Sequence, residues 1–428
     1  MTDSPDILAL LQRRGFVQQC TDLTALGAQF AAGPQVIYTG YDPTADSLHV
    51  GHLVTLMALS HLERAGHRPI VLLGGGTAMI GDPSGKSEMR RLLSAEQIQA
   101  NTAALTRQLG QFLDLAGGRT RLVNNADWLG GLQLIPFLRD VGRHFSVNRM
   151  LTAETYRARL ETGLSFIEFN YQLLQAYDFC HLAEVADCRV QLGGDDQWGN
   201  IIAGVDLCRR RLQVQVFGLT YPLLTTASGT KMGKTSTGAV WLDAARLSPY
   251  AYYQFWINCD DADLTRFLAL FTFLPEAEIA QAAGLAGSER NASKAILAYE
   301  ATAIAHGRPA AVAAHAAAQG AFGGRQLAPD LLPTSQVPRA AGVADSGLLP
   351  TTQVPLESLG AAGMSLVDLL VRTQLAVSKS AARRLIEQGA VRVGEVRLAE
   401  SWRLTETLLR AGDLEMRVGK KQVHRITK

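Results

Sequence analysis

Residues 36–55 read VIYTGYDPTADSLHVGHLVT, and the fold of the chain follows from how this stretch is built. Val36, Ile37 and Tyr38 form a short apolar strand, and Gly40, Asp42 and Pro43 turn the chain. A helix then opens, its first turn carrying His49 and His52 around Gly51. Asp46 or Ser47 is expected to cap it, because a short side-chain oxygen accepts from the first backbone N–H groups, which lack partners inside the helix. A strand that ends at a helix N-terminus makes an anion site, since those N–H groups and the helix dipole point at one spot. Two imidazoles three residues apart share a face of the first turn and can donate to phosphate oxygens there. The glycine between them lets a flat ring approach the backbone. Taken alone, HxxH also fits half of a zinc site, but no Cys or Glu cluster with ligand spacing lies nearby.

Composition bounds the rest. The chain has 428 residues, enough for two or three domains at about 150 residues each. With 47% hydrophobic residues it can bury sizeable cores, yet no apolar run reaches the roughly 18 residues of a membrane span. The start, MTDSPDILALLQRRG, is polar and acidic before a short amphipathic helix, which argues against a signal peptide and for a cytoplasmic protein. Cys20, Cys180, Cys188, Cys208 and Cys259 are scattered without a CxxC pair and read as reduced thiols. The net charge of +2 hides an asymmetry: residues 361–428 carry +6, leaving about −4 on the remainder. A basic tail on a mildly acidic body points to a polyanion partner.

Along the chain, Val36–Thr39, Pro69–Leu73, Arg121–Asn124 and Arg189–Leu192 are short apolar runs ending in Gly, Asn or Asp. Helical periodicity follows, as in Ser94–Leu115 and Gly199–Leu212. This alternation predicts an α/β fold, a doubly wound parallel sheet of Rossmann type with ligands at the carboxyl ends of its strands. It occupies residues 1–240, with inserted helices near 131–164. An Ala- and Leu-rich helical domain spans 241–323, and a Pro-rich linker 324–363. Residues 364–428 read as two short helices and then small strands.

Several stretches carry chemistry. In LLGGGTAMIGDPSGKSEMR (72–90) the glycine that a P-loop needs five positions before GK is replaced by Ile80, so the ATPase loop is rejected. In FIEFNYQLLQAYDF (166–179), Tyr171, Gln175 and Asp178 fall at i, i+4 and i+7 on one helix face. Their neighbours are apolar, so this polar stripe borders the core and needs partners. GGDDQWGN (193–200) follows a strand and opens a helix. KMGKT (231–235) sits in a loop rich in Gly, Ser and Thr.

The string YTGYDPTADSLHVGH resembles the nucleotide-binding signature of class I aminoacyl-tRNA synthetases, and its flanks resemble the bacterial tyrosyl-tRNA synthetase family. KMGKT resembles the second class I signature, usually KMSKS, with Gly233 and Thr235 departing from it. The resemblance covers essentially the whole chain, and its tail is similar to a small RNA-binding fold shared with a ribosomal protein. It implies ATP-dependent activation of L-tyrosine, with Mg2+ accompanying ATP and no tightly bound cofactor, followed by transfer to tRNA(Tyr), in a homodimer.

For phosphate chemistry the resemblance implies His49, His52, Thr44, Lys86, Arg90, Lys231, Lys234 and Thr235. ATP is further held by Gly40, Asp42, Gly51, Gly194 and the ribose-gripping Asp196. For tyrosine it implies Tyr38 and Asp178 at the phenol, Asp82, Tyr171 and Gln175 at the ammonium, and Gln191 and Gln197 in the pocket. Arg209 and Arg210 match residues at the tRNA acceptor stem, Lys420 and Lys421 are tail cations for its phosphates, and Phe166 lies in the dimerisation segment. Asp195, where the family often has Ser, receives no role. Tyr38 and Asp178 together argue against an indole substrate. KMGKT, the helical domain and the basic tail argue against a small-molecule adenylyltransferase. The intact HVGH and KMGKT motifs argue against an RNA-binding protein that has lost catalysis.

Overall fold

In the computed structural model the described residues are 6–84, 93–152, 156, 157, 159, 160, 163–227, 229, 232, 234, 235, 238–322, 327–340, 349–360, 362–419 and 422–428. They form two compact units. One is Met1–Gly233 with Trp241–Asp243 and Arg266–Phe271, and the other is the remainder.

The first unit is built on a six-stranded sheet. Its strands are β1 (Gln19–Cys20), β2 (Val36–Tyr41), β3 (Arg68–Leu73), β4 (Arg121–Asn124), β5 (Cys188–Gly194) and β6 (Phe217–Tyr221), in the order β1-β6-β5-β2-β3-β4. All pairings are parallel except β1 with β6. The chain steps outward from β2 through β3 to β4, then returns to the other side of β2 with β5. The crevice between β2 and β5 is therefore the topological switch point, where doubly wound sheets bind ligands. In register across it, Tyr38 faces Gln191.

The helices that matter are α1 (Val50–Arg64), α2 (Ala95–Phe112), α3 (Phe166–Ala186) and α4 (Trp198–Arg211). Ser94 and Gln97 cap α2 reciprocally, and Ser165 and Glu168 do the same for α3. Short helices Leu134–Asp140 and Val147–Leu151 fill the expected insertion. The strands β1 and β6 were not foreseen: one is two residues long, and the other contains Gly218, a poor strand former. The cap of α1 is also different. His49, rather than Asp46 or Ser47, is the N-cap residue. Ser47 instead donates to the Leu48 carbonyl and meets Gln108, whose Oε1 accepts from the Leu48 N–H at 2.9 Å.

In the second unit, helices α5 (Pro249–Ile257), α6 (Gly287–His306) and α7 (Arg308–Phe322) pack together. The proline-rich stretch 327–340 is fastened to them rather than hanging loose. The Thr334 N–H donates to Glu278 at 3.1 Å and Ser335 Oγ to Glu300 at 2.6 Å, while His315 meets the Pro338 carbonyl at 3.2 Å. Leu327, Leu331, Leu332 and Val337 are buried beneath. Prolines supply no N–H, so side-chain carboxylates and hydroxyls do the anchoring.

The tail has its own core, drawn from residues between Val354 and Ile426. Thr351–Gln353, expected in the linker, joins the tail's five-stranded sheet in parallel with Gln422–Thr427. Ser378 caps the short amphipathic helix Lys379–Glu387, whose Lys379, Arg383 and Arg384 are exposed.

Candidate functional site

The carboxyl ends of β2, β3, β4 and β5 and one face of α3 converge on a polar pocket. Tyr38 on β2 is 1% exposed, and its hydroxyl has no hydrogen-bond partner among the described residues. Gln191 Oε1 on β5 shares that condition. Burial raises the Tyr38 phenol well above its ordinary range, and the Asp178 charge adds to the rise. Phenol and carboxylate thus belong to one end of the pocket.

Asp178 itself is held by two donors, Trp128 Nε1 at 2.7 Å and Asn125 Nδ2 at 2.9 Å. The same Asn125 amide reaches Thr77 Oγ1 at 3.0 Å. Thr77 donates to Asp42 at 2.7 Å, and Asp42 accepts from the Tyr171 hydroxyl at 2.8 Å. Gly74 is required here, because a Cβ on it would lie 2.0 Å from Asp42 Oδ1.

A second chain of bonds runs beside the first. Asp82 accepts from Gln197 Nε2 at 2.8 Å and from the Ser84 N–H at 2.9 Å. Asn200 bridges Gln197 Oε1 at 3.1 Å and Gln175 Oε1 at 3.0 Å. Asp82, Gln175 and Gln197 thus share one chain of bonds, and Tyr171 and Asp178 the other. Asn125, Trp128, Thr77 and Asn200 were missed. The signal for the first two was NNADW directly after β4, polar residues at a strand's carboxyl end.

A second group of candidate site residues is built at the start of α1. The His49 Nδ1 accepts from the Gly51 N–H at 3.0 Å, and the His52 Nδ1 accepts from the His49 N–H at 3.2 Å. With both Nδ1 atoms accepting, each neutral ring carries its proton on Nε2, as a donor. The ring centroids lie 4.0 Å apart. A Cβ on Gly51 would come within 2.7 Å of His49 Cε1, so this glycine makes room for the capping ring itself. The His49 backbone pairs with Trp241, which ties Trp241–Asp243 to the first unit.

Thr44 is exposed, and its N–H donates to the Asp42 carbonyl at 2.8 Å. Gly40 at the end of β2 is exposed, and Asp196 is half-buried beside Gly194. Asp195 has a structural role: it accepts from Gln19 at 2.6 Å and from Thr220 at 2.9 Å, stitching β1 and β6 to β5. Arg209 and Arg210 close α4, where cations suit the dipole. Arg209 pairs with Asp206, and Arg210 donates to the His144 carbonyl at 2.6 Å. Lys86, Arg90, Lys231, Lys420 and Lys421 lie outside the described residues, and Lys234 and Thr235 are described only as a short strand.

A family profile described as class I tRNA synthetases (W and Y) matches residues 31–323. A profile for the C-terminal domain of SYY-like tyrosine–tRNA ligases matches residues 349–422. The chain is similar to a tyrosine–tRNA ligase of Desulfosudis oleivorans, 54% identical over 98% of this chain and 98% of that one. One of Rhodospirillum rubrum is 49% identical over 97% of this chain and 96% of its own. Among solved structures, a C-terminally truncated mitochondrial tyrosyl-tRNA synthetase of Aspergillus nidulans is similar, with a TM-score of 0.66 and 31% identity. That likeness covers 74% of this chain and 94% of the other.

The site's electrostatics give a pH signature. Burial pushes the Asp178 carboxyl up to about 7, against the pull of Asn125 and Trp128 and with the help of Asp42. A carboxyl raised in the fold holds a proton that the unfolded chain, titrating near ~4, releases. Its contribution to stability is complete below about pH 4 and is lost as pH rises through about 7. Asp178→Asn removes that titration. In thermal melts from about pH 5 to 8, the Tm difference between variant and natural protein should move in the variant's favour as pH rises. A difference that stays constant would mean that Asp178 titrates normally in the fold.

Proposed function

The chain belongs to the class I tRNA synthetases of the tryptophan and tyrosine group, and we propose on that footing that it activates L-tyrosine with ATP and transfers it to tRNA(Tyr). One observation carries the choice of tyrosine: a buried Tyr38 hydroxyl with no partner among the described residues, set beside the buried carboxylate of Asp178. A phenolic hydroxyl between them can donate to Asp178 and accept from Tyr38. The indole of tryptophan has no acceptor to offer.

Activation needs no general base, because the tyrosine carboxylate is already ionised. It attacks the α-phosphate of ATP in line, forming tyrosyl-adenylate and releasing pyrophosphate. Catalysis is positioning and charge stabilisation. Asp82, Tyr171 and Gln175 receive the ammonium, with Gln191 and Gln197 lining the pocket. The Nε2–H groups of His49 and His52 donate to phosphate oxygens. Lys86, Arg90, Lys231 and Lys234 neutralise the departing pyrophosphate, with Thr44 and Thr235 as hydroxyl donors. Asp196 holds the ribose, and Gly40, Asp42, Gly51 and Gly194 shape the rest of the ATP site. Magnesium would accompany ATP as its counter-ion and would neutralise phosphate charge; among the described residues no three His, Cys, Asp or Glu side chains come together as a cage. The tRNA 3′-terminal hydroxyl then attacks the adenylate.

The basic tail, with Lys379, Arg383, Arg384, Lys420 and Lys421, binds tRNA phosphates, and Arg209 and Arg210 face the acceptor stem. The reaction takes place in the cytoplasm on this reading, which the five unpaired cysteines support. The protein acts as a homodimer. Leu134, Ile135, Val147 and Phe166, which expose 68%, 72%, 56% and 81% of their surface, are apolar side chains that a second copy would cover.

Pyrophosphate–ATP exchange with tyrosine, phenylalanine and tryptophan offered separately tests the specificity. Exchange should depend on tyrosine, because phenylalanine leaves the buried Tyr38 hydroxyl without a partner, at about 1–3 kcal/mol, and gives Asp178 no third donor. Tyr38→Phe should cost tyrosine about 0.5–1.5 kcal/mol in kcat/KM and weaken discrimination. Equal exchange with phenylalanine and tyrosine in the natural protein refutes the assignment.

For the tail, the anchoring of 327–340 sets the cut: a chain ending after Ala340 keeps that cover on the helices. It should still form adenylate but fail to charge tRNA, and charging by the full chain should weaken as salt rises. Normal charging by the shortened chain refutes an RNA-binding tail. Sedimentation checks the dimer: two copies per particle are expected, and Phe166→Asp should give one. A natural protein that sediments as single chains would rule it out.

A further inference from the structure

Arg159 and Glu168 form an ion pair with both side chains 3% exposed, and the sites described so far do not use it. The Arg159 Nη2 donates to both Glu168 oxygens at 2.9 Å. Glu168 also accepts from Ser165 Oγ at 2.8 Å and from the Ser165 N–H at 3.2 Å. Burial pushes its carboxyl up, but Ser165 and Arg159 outweigh that and hold it below the usual range. Beside the pair, the buried Tyr156 donates to the Phe169 carbonyl at 3.1 Å and packs with Met150 and Leu173. The Asp82 charge reaches the Tyr156 hydroxyl. Two side chains from the segment before α3 thus grip its first turn, one by charge and one by a hydroxyl.

The place of this grip along α3 matters. Glu168 lies three residues before Tyr171 and seven before Gln175, so all three fall on one stripe of the helix. At 1.5 Å per residue, Tyr171 is about 4.5 Å along the axis from the ion pair and Asp178 about 15 Å. The pair therefore braces the turn next to Tyr171, while Gln175, about 10.5 Å along the axis, and Asp178 lie progressively farther from it. We propose that Arg159 is a positioning residue for the substrate's ammonium group: by locking Glu168 it holds Tyr171 and Gln175 at the distance from Asp82 that a primary ammonium fits. This rests on the tyrosine-activating function proposed above.

The test separates the two ends of the ligand. In the full-length protein, Arg159→Met, Arg159→Lys and the double variant Arg159→Met/Glu168→Met are assayed by tyrosine-dependent pyrophosphate–ATP exchange. Inhibition by 3-(4-hydroxyphenyl)propanoate is measured alongside; it keeps the phenol and carboxylate but lacks the ammonium. Arg159→Met should raise the KM for tyrosine about tenfold or more, with a smaller change in kcat and an unchanged inhibition constant for the desamino analogue. Arg159→Lys, which keeps the charge, should recover part of the loss. The double variant removes both buried charges together and leaves no unpaired carboxylate. It should fold where the single variant does not, and show the same selective loss. Equal weakening of both ligands would make the pair merely structural, and no change in either would make it irrelevant to the site; each overturns the proposal. Absence of tyrosine-dependent exchange in the natural protein would instead defeat the underlying function.

Discussion

Everything in the pocket depends on carboxylates that the fold removes from water and must then satisfy. Asp178 is 2% exposed and Asp82 8%. An ionised carboxylate cannot be buried cheaply without donors, so each is surrounded by them. Asn125, fully buried, is the joint of this arrangement. Its amide nitrogen serves Asp178 and Thr77, and its oxygen takes the Gly76 N–H at 2.8 Å. One side chain at the end of β4 thus couples the glycine-rich turn after β3 to helix α3. Both neighbours of Asp178 are neutral donors, so its negative charge is oriented rather than cancelled. Such a pocket favours a ligand that brings a cation to one end and a hydroxyl donor to the other.

The sheet topology explains why these groups meet. Because β5 returns to the far side of β2, the carboxyl ends of strands distant in sequence open on one crevice. Tyr38 and Gln191, 153 positions apart, are register partners there. Helix α3 then lays Tyr171, Gln175 and Asp178 along the crevice. Its spacing sets the distance between Tyr171 and Asp178, which the chain through Asp42, Thr77 and Asn125 also links.

The parallel sheet, helices α1 to α4 and the stripe on α3 were legible in the sequence, because each rests on periodicity or on strand–turn–helix punctuation. Arg121–Asn124 was read with its bounds intact, while β1 and β6 were not seen. Two residues carry no period, and Gly218 weakens the strand pattern of β6; it sits beside Ile201, where a Cβ would clash at 2.3 Å. The supporting residues Asn125 and Trp128 had only the weak signal of NNADW at the end of β4, and Asn200 had none. Their importance lies in what they donate to across the fold, which sequence spacing does not encode. The stretch 327–340 misled for a related reason. Its prolines and small polar residues look like a linker, and only Glu278, Glu300 and His315, carried on distant helices, turn it into a cover.

The choice of histidine at the start of α1 has the same logic at smaller scale. Serine or aspartate caps a helix at least as well, and either was the natural expectation at Asp46 or Ser47. A capping carboxylate would place a negative charge where phosphates are to lie, and a capping serine would use up its oxygen on the helix. An imidazole has two nitrogens with separate duties. At His49, Nδ1 accepts from the Gly51 N–H, and that bond fixes the tautomer that leaves a proton on Nε2. His52 repeats the arrangement, its Nδ1 taking the His49 N–H. The backbone thus orients two N–H donors in advance, which is the preorganisation that the proposed phosphate role of these histidines requires. Gly51 is the steric condition for this, since any side chain there would displace the His49 ring that sets the geometry.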